Sequence, residues 1–153
     1  MRKFLILAVA LAACSRAETP ATDTTAMAPA MAAPAALTAA DVGGSWNVAG
    51  MGETSDSVTG RWTTVNVDDT SGVLTPEGST EKIPFKRVLD ADSMIVTSTG
   101  AYTNPADAKG PKLMFRSVGR LKDGKLVGTS ATMLASKPDS VVQRGRWEAT
   151  RAP

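Results

Sequence analysis

The stretch Leu113-Met114-Phe115-Arg116-Ser117-Val118-Gly119-Arg120-Leu121-Lys122-Asp123-Gly124-Lys125-Leu126-Val127-Gly128-Thr129-Ser130-Ala131-Thr132-Met133-Leu134 decides the fold. Asp123-Gly124 stands between two runs of alternating side chains. Both residues tolerate positive φ, as tight two-residue hairpin turns require. A loop that short fixes the register. Leu121 then faces Leu126, Gly119 faces Gly128, Ser117 faces Ser130, Phe115 faces Thr132 and Leu113 faces Leu134. The other face sets Arg116, Val118 and Arg120 against Ala131, Thr129 and Val127. Its arginines put that face in water, so the first face is the interior one. That interior face is large at its ends and small in the middle. Interiors close up, so either a tryptophan from elsewhere (Trp46, Trp62 or Trp147) fills the room or a ligand does.

Outward from this hairpin, the chain from Thr38 reads as short strands split by Gly, Pro, Asp and Asn clusters. Strands are expected over 45–50, 58–67, 72–75, 82–89, 93–99, 112–122, 125–134 and 140–150. Thr38-Ala39-Ala40-Asp41 fits a capping box, so one helical turn precedes the first strand. In the last strand Val141, Gln143, Gly145, Trp147 and Ala149 share one face, and Arg144, Arg146 and Glu148 the other. The fold class is all-β, with about eight antiparallel strands. Sequential strands with short connections favour an up-and-down barrel, closed so that no edge is left; a two-sheet sandwich is the alternative.

Gly44-Ser45-Trp46, in a first strand after a short helical turn, resembles the Gly-x-Trp signature of lipocalins and related calycin barrels. In that family an arginine near the chain end packs across the tryptophan. The resemblance assigns that role to Arg151, with Arg146 and Arg144 behind it. It also implies an eight-stranded barrel whose interior takes a small apolar ligand. The residues proposed to face such a ligand are Trp46, Phe115, Ser117, Gly119, Gly128, Ser130 and Trp147. Gly-Arg-Trp occurs at 60–62 and again at 145–147, but the flanks differ and no duplication is inferred.

The N-terminus carries an address. Met1-Arg2-Lys3 is basic, and 4–13 is an apolar run of about ten residues, the size of a signal-peptide core and too short to span a bilayer. Leu11-Ala12-Ala13-Cys14 resembles the lipobox of bacterial lipoproteins, in which the cysteine thiol is acylated and becomes the first residue of the mature chain. Cys14 is the only cysteine, and lipidation accounts for an otherwise unpaired thiol in an exported protein. Ser15 stands where an aspartate often marks inner-membrane retention in that family, which points to the outer membrane, facing the periplasm. Residues 1–13 are thus a signal peptide, 14–37 a lipidated Ala/Pro/Thr tether, and 38–153 the barrel domain. Pro20, Pro29 and Pro34 interrupt any helix in the tether, whose reach is about 70 Å at ~3.1 Å per residue. Met27 and Met31 are too few for a copper site.

The side-chain inventory narrows the chemistry. There is no histidine, which removes the commonest general base and every Ser-His triad. No Gly-rich phosphate loop follows a strand. Asp90-Ala91-Asp92 and Asp68-Asp69 fall where strands end, and aspartate there reads as turn chemistry. Lys and Arg number 17 against 15 Asp and Glu, for a net charge of +2, so no strong field for nucleic acid is implied. Asn104-Pro105 is a turn signal at a prospective barrel mouth. Two readings follow, neither of them an enzyme, a cofactor protein or a metal protein. One is an envelope lipoprotein whose barrel binds a small apolar ligand. The other is a structural or interaction lipoprotein with a filled core. In the second, a basic wall of Arg116, Arg120, Lys122, Lys125, Arg144 and Arg146 docks another envelope component or meets lipid headgroups.

Overall fold

The structure, a computed structural model, describes residues 35–153. The signal segment, Cys14, Met27, Met31 and the tether as far as residue 34 lie outside the described residues. A helical turn α1 (Ala39–Val42) leads into eight strands: β1 (Ser45–Gly52), β2 (Val58–Asn66), β3 (Ser71–Pro76), β4 (Ile83–Asp90), β5 (Ser93–Ser98), β6 (Leu113–Lys122), β7 (Lys125–Leu134) and β8 (Lys137–Arg151). They close in sequence order into an antiparallel barrel, with β8 pairing back onto β1. The sandwich alternative is thereby excluded. Closure gives both β1 and β8 a partner on each side, so no ladder is left open to another chain.

The β6–β7 register is the one that Asp123-Gly124 dictates, from Leu113↔Leu134 to Lys122↔Lys125. Asp123 and Gly124 both have positive φ, 52° and 76°. Burial alternates along most strands. In β4, Ile83, Phe85 and Arg87 are buried while Pro84, Lys86 and Val88 are exposed. In β8 the phase holds for Gly145, Trp147 and Ala149, which face inward. It fails at Val141. An irregularity opposite Met133 inserts an extra residue, so Val141 pairs with Met133 on the outer face and is 39% exposed. A bulge of this kind reverses the inside–outside alternation beyond it.

Of the room left by small residues in the β6–β7 interior, the part at Gly119 and Gly128 is taken by Trp147. A Cβ on Gly119 would stand 2.5 Å from the indole Cη2 and Cζ2, and one on Gly128 would meet the Val118 carbonyl oxygen and stand 2.6 Å from Cζ2. The indole Nε1–H donates to the Thr129 carbonyl at 3.1 Å. Gly119 and Gly128 are therefore the bed of a tryptophan. Trp46, Val48, Met94, Leu126 and Ala149 pack in the same core with Trp147. Leu37, which composition assigns to the tether, belongs to it too: it is 9% exposed and its amide donates to the Ala91 carbonyl at 2.8 Å.

One end of the barrel is closed by α1. The capping box forms as expected, with the Thr38 amide donating to Asp41 Oδ2 at 2.9 Å and the Asp41 amide to Thr38 Oγ1 at 3.3 Å. A turn this short leaves its last carbonyls without helical partners, and four strands supply donors. Trp46 Nε1 reaches the Val42 and Gly43 carbonyls at 3.2 and 3.1 Å. Asn66 Nδ2 donates to Val42 and Gly44 at 2.7 Å. Arg87 donates to Val42 at 3.1 Å, to Asn66 Oδ1 at 2.8 Å, and to the carbonyls of Asp68 and Asp69 at 2.9 to 3.2 Å. Arg151 donates to the carbonyls of Ala40, Asp41 and Gly43 at 2.9 to 3.1 Å.

Two substitutions test this packing. Gly119→Ala, whose Cβ would meet the Trp147 indole first, should lose about 1–3 kcal/mol, the usual cost of overpacking a filled site, read as a lower urea midpoint at unchanged slope. Arg87→Met should lose about 1–3 kcal/mol, because it removes the donors to Asn66 Oδ1 and to the Asp68 and Asp69 carbonyls at the floor of the barrel. An unchanged midpoint in either case would contradict the packing described.

Candidate ligand cavity

The opposite end of the barrel is ringed by the loops after β1, β3 and β5 and by the turn between β7 and β8. Below it lies a cavity of about 520 Å³. Its position follows from side-chain size. At the closed end Trp46, Val42 and Leu126 fill the bore. Toward the open end the inward positions of β6 and β7 carry Ser117, Ser130 and Thr132, which are too short to meet across the barrel. The wall is mainly apolar, with Val48, Trp62, Ile83, Phe85, Met94 and Phe115 contributing to it. All three tryptophans line it.

Of the residues assigned to a ligand from the sequence, Trp46, Phe115, Ser117, Ser130 and Trp147 line the cavity. Gly119 and Gly128 do not, since Trp147 covers them. Arg151 lies over the Trp46 ring, 4.7 Å from its centroid, as the family resemblance implies for an arginine near the chain end. Arg146 instead bonds the Ser55 carbonyl and Asp56 at 3.1 and 2.8 Å, holding the β1–β2 loop to β8. Its Nε is buried without a partner. Asn104 and Pro105 line the mouth, where the turn signal placed them.

Several wall residues are absent from the sequence-based assignment. Trp62 is among them; it lies across Gly50, whose Cβ would overlap the indole. Ile83, Phe85 and Arg87 alternate in β4 and were open to the same reading as the hairpin. Tyr102 carries no signal, because it sits in the long β5–β6 loop. There it pairs with Leu113 through two 2.9 Å backbone bonds and meets Phe115 edge-on, with ring centroids 6.2 Å apart.

The polar groups sort by environment. Arg87 is 4% exposed, and burial pulls its pKa down, with Asp69 and Asp68 opposing. An arginine stays charged regardless. Asp68 is drawn down to about 2, first by the Ser71 hydroxyl and then by the Thr70 amide and hydroxyl. Its carboxylate is thus committed to the β2–β3 turn, with Oδ2 accepting from Ser71 at 2.6 Å. Arg116, Arg120, Lys122, Lys125 and Arg144 stand exposed on the outer wall as expected, with Lys125 paired to Glu148 at 2.7 Å.

No family model matches the chain, and no curated protein matches it.

Burial at the cavity wall raises the Tyr102 hydroxyl above its ordinary 10.0, opposed by the hydrogen bond with Thr132. Tyr102 is the only tyrosine, so the tyrosinate absorbance band reports it alone. That band should grow in above pH 10. A transition at or below 10 would mean that the ring is not shielded in this way.

Proposed function

We propose that this protein is a membrane-tethered envelope lipoprotein whose barrel carries a small apolar molecule. The observation that carries the reading is the cavity. At about 520 Å³ it falls within the roughly 300–1,000 Å³ of small-molecule sites, and like them it is mostly apolar with a few polar groups. Its closed floor and open mouth suit a ligand that enters from one end. The lipocalin-like pairing of Trp46 in Gly44-Ser45-Trp46 with Arg151 supports the same reading. The anchor is acylated Cys14, held in the outer membrane with the barrel in the periplasm. Stable attachment takes two or more acyl chains, and the tether then lets the barrel stand clear of the headgroups.

Two measurements on the full chain test this. Labelled palmitate should enter the wild-type protein and not the Cys14→Ser variant; equal labelling would refute the anchor. Native mass spectrometry of protein extracted from its own envelope should show a discrete extra mass that organic solvent removes. A bare mass under every growth condition would refute the carrier.

A further inference from the structure

The outer wall of the barrel is charged unevenly. Strands β1 to β3 contain a single charged residue, Arg61. Strands β6 to β8 turn Arg116, Arg120, Lys122, Lys125, Arg144 and Arg146 outward. Against them stand Glu148, which Lys125 binds at 2.7 Å, and Asp139 near the mouth turn. Arg146 is answered by Asp56 at 2.8 Å. Asp90, Asp92 and Asp123 lie at the closed-end turns. Arg116, Arg120 and Arg144 form no ion pair among the described residues.

The register sets the spacing of these charges. Arg116 pairs with Ala131, which pairs with Arg144, so the two arginines flank one alanine and stand two strands, about 10 Å, apart. In the next row toward the closed end, Val118 pairs with Thr129 and Thr129 with Arg146. Val118 is 42% exposed and lies between Arg116 and Arg120 along β6. Val141 is 39% exposed opposite Met133. Along β7 the outward residues between the two flanks are Val127, Thr129, Ala131 and Met133, none of them charged. The face is a convex ridge, uncharged at its crest and cationic on both sides.

A soluble polyanion answers only the charge of such a face. A bilayer with acidic headgroups answers both parts. Guanidinium groups reach the phosphates while their stems and the valines rest against the acyl boundary. The start of the described chain also lies close to this wall. The Leu37 amide bonds Ala91 in the turn before β5, the strand that pairs with β6.

We propose that the β6–β8 wall docks on an anionic phospholipid surface, with Arg116, Arg120 and Arg144 at the headgroup phosphates and the crest of β7 at the interface. The proposal takes from the reading above only that a bilayer is within the tether's reach. Attraction between exposed basic side chains and an acidic leaflet is weak and screened by salt. A tether makes weak contact sufficient by raising the local concentration. In this pose the barrel lies on its side, and its mouth stays open along the surface.

The full chain carrying Cys14→Ser and Thr129→Cys has one thiol, at the crest, for an environment-sensitive dye. It is titrated with vesicles of phosphatidylcholine alone and with vesicles one quarter phosphatidylglycerol, at 0.05 M and 0.5 M NaCl. The dye should shift to the blue on the acidic vesicles at low salt, with binding about tenfold tighter than to phosphatidylcholine, and the preference should shrink at high salt. Arg116→Gln combined with Arg144→Gln should remove most of that preference while tryptophan emission, from inside the barrel, is unaltered. Arg61→Gln, three strands from β7, should leave the preference unchanged. An unshifted dye, the same response to both vesicles, or a double variant that keeps the preference would overturn the proposal. So would a dye that answers to inorganic polyphosphate and not to acidic vesicles, because the wall would then serve a soluble polyanion. Cys14 is absent from this assay, so the result stands whatever palmitate labelling says of the anchor.

Discussion

The carbonyl of Val42 is the point on which this structure turns. It ends a single helical turn, and it accepts from Trp46, Asn66 and Arg87, which lie on three different strands. The next carbonyl, Gly43, adds Arg151 from the chain end. These bonds tie the entry to β1, the end of β2, the end of β4 and the end of β8 to one short segment. The chain has a single cysteine, so no disulfide within it can do this work. A buried polar group must be satisfied or it destabilises the fold, and the donors to these carbonyls converge from all four elements. The Arg151–Trp46 stack adds about 0.5–2 kcal/mol by cation–π attraction.

Closing one end firmly has consequences for the other. The large side chains gather near the plug, where Trp46 and Trp147 occupy most of the bore. The upper bore is left to Ser117, Ser130 and Thr132, with aromatic rings on the facing strands. A void remains there because no inward side chain in that layer is long enough to reach across. The loops around the mouth are held by local bonds: Arg146 to the β1–β2 loop, Glu81 to Thr103, and Tyr102 to Leu113. The cavity is thus a preformed feature of the fold, and the arginine that secures α1 lies in its floor.

Much of this was legible in the residues because β-structure has a period of two. Once Asp123-Gly124 set the turn, every pair from Leu113↔Leu134 inward followed without further information. The capping box at Thr38 and Asp41 was equally local. Legibility failed where geometry depends on a distant partner. The bulge opposite Met133 leaves no mark in the sequence, so Val141 looked like a core residue. Gly119 and Gly128 read as room for a tryptophan or a ligand, because nothing in their own strands says that the indole from β8 is the one that lies on them. Tyr102 enters the wall through a loop, where side-chain period carries no meaning.

The sequence by itself determined the strand count, the hairpin register, which face of each hairpin strand is wet, and the place of Trp46 at the start of the first strand. Each depends on neighbours a few residues apart, through turn conformation and side-chain alternation. The tertiary structure alone decided barrel over sandwich, which tryptophan fills which glycine bed, and that Arg87 serves the plug. Those outcomes depend on how β8 meets β1 and on which side chains meet across the bore. Such contacts are set by the volumes and hydrogen-bonding needs of residues far apart in the chain. Local periodicity specifies the elements, while closure and packing specify the cavity.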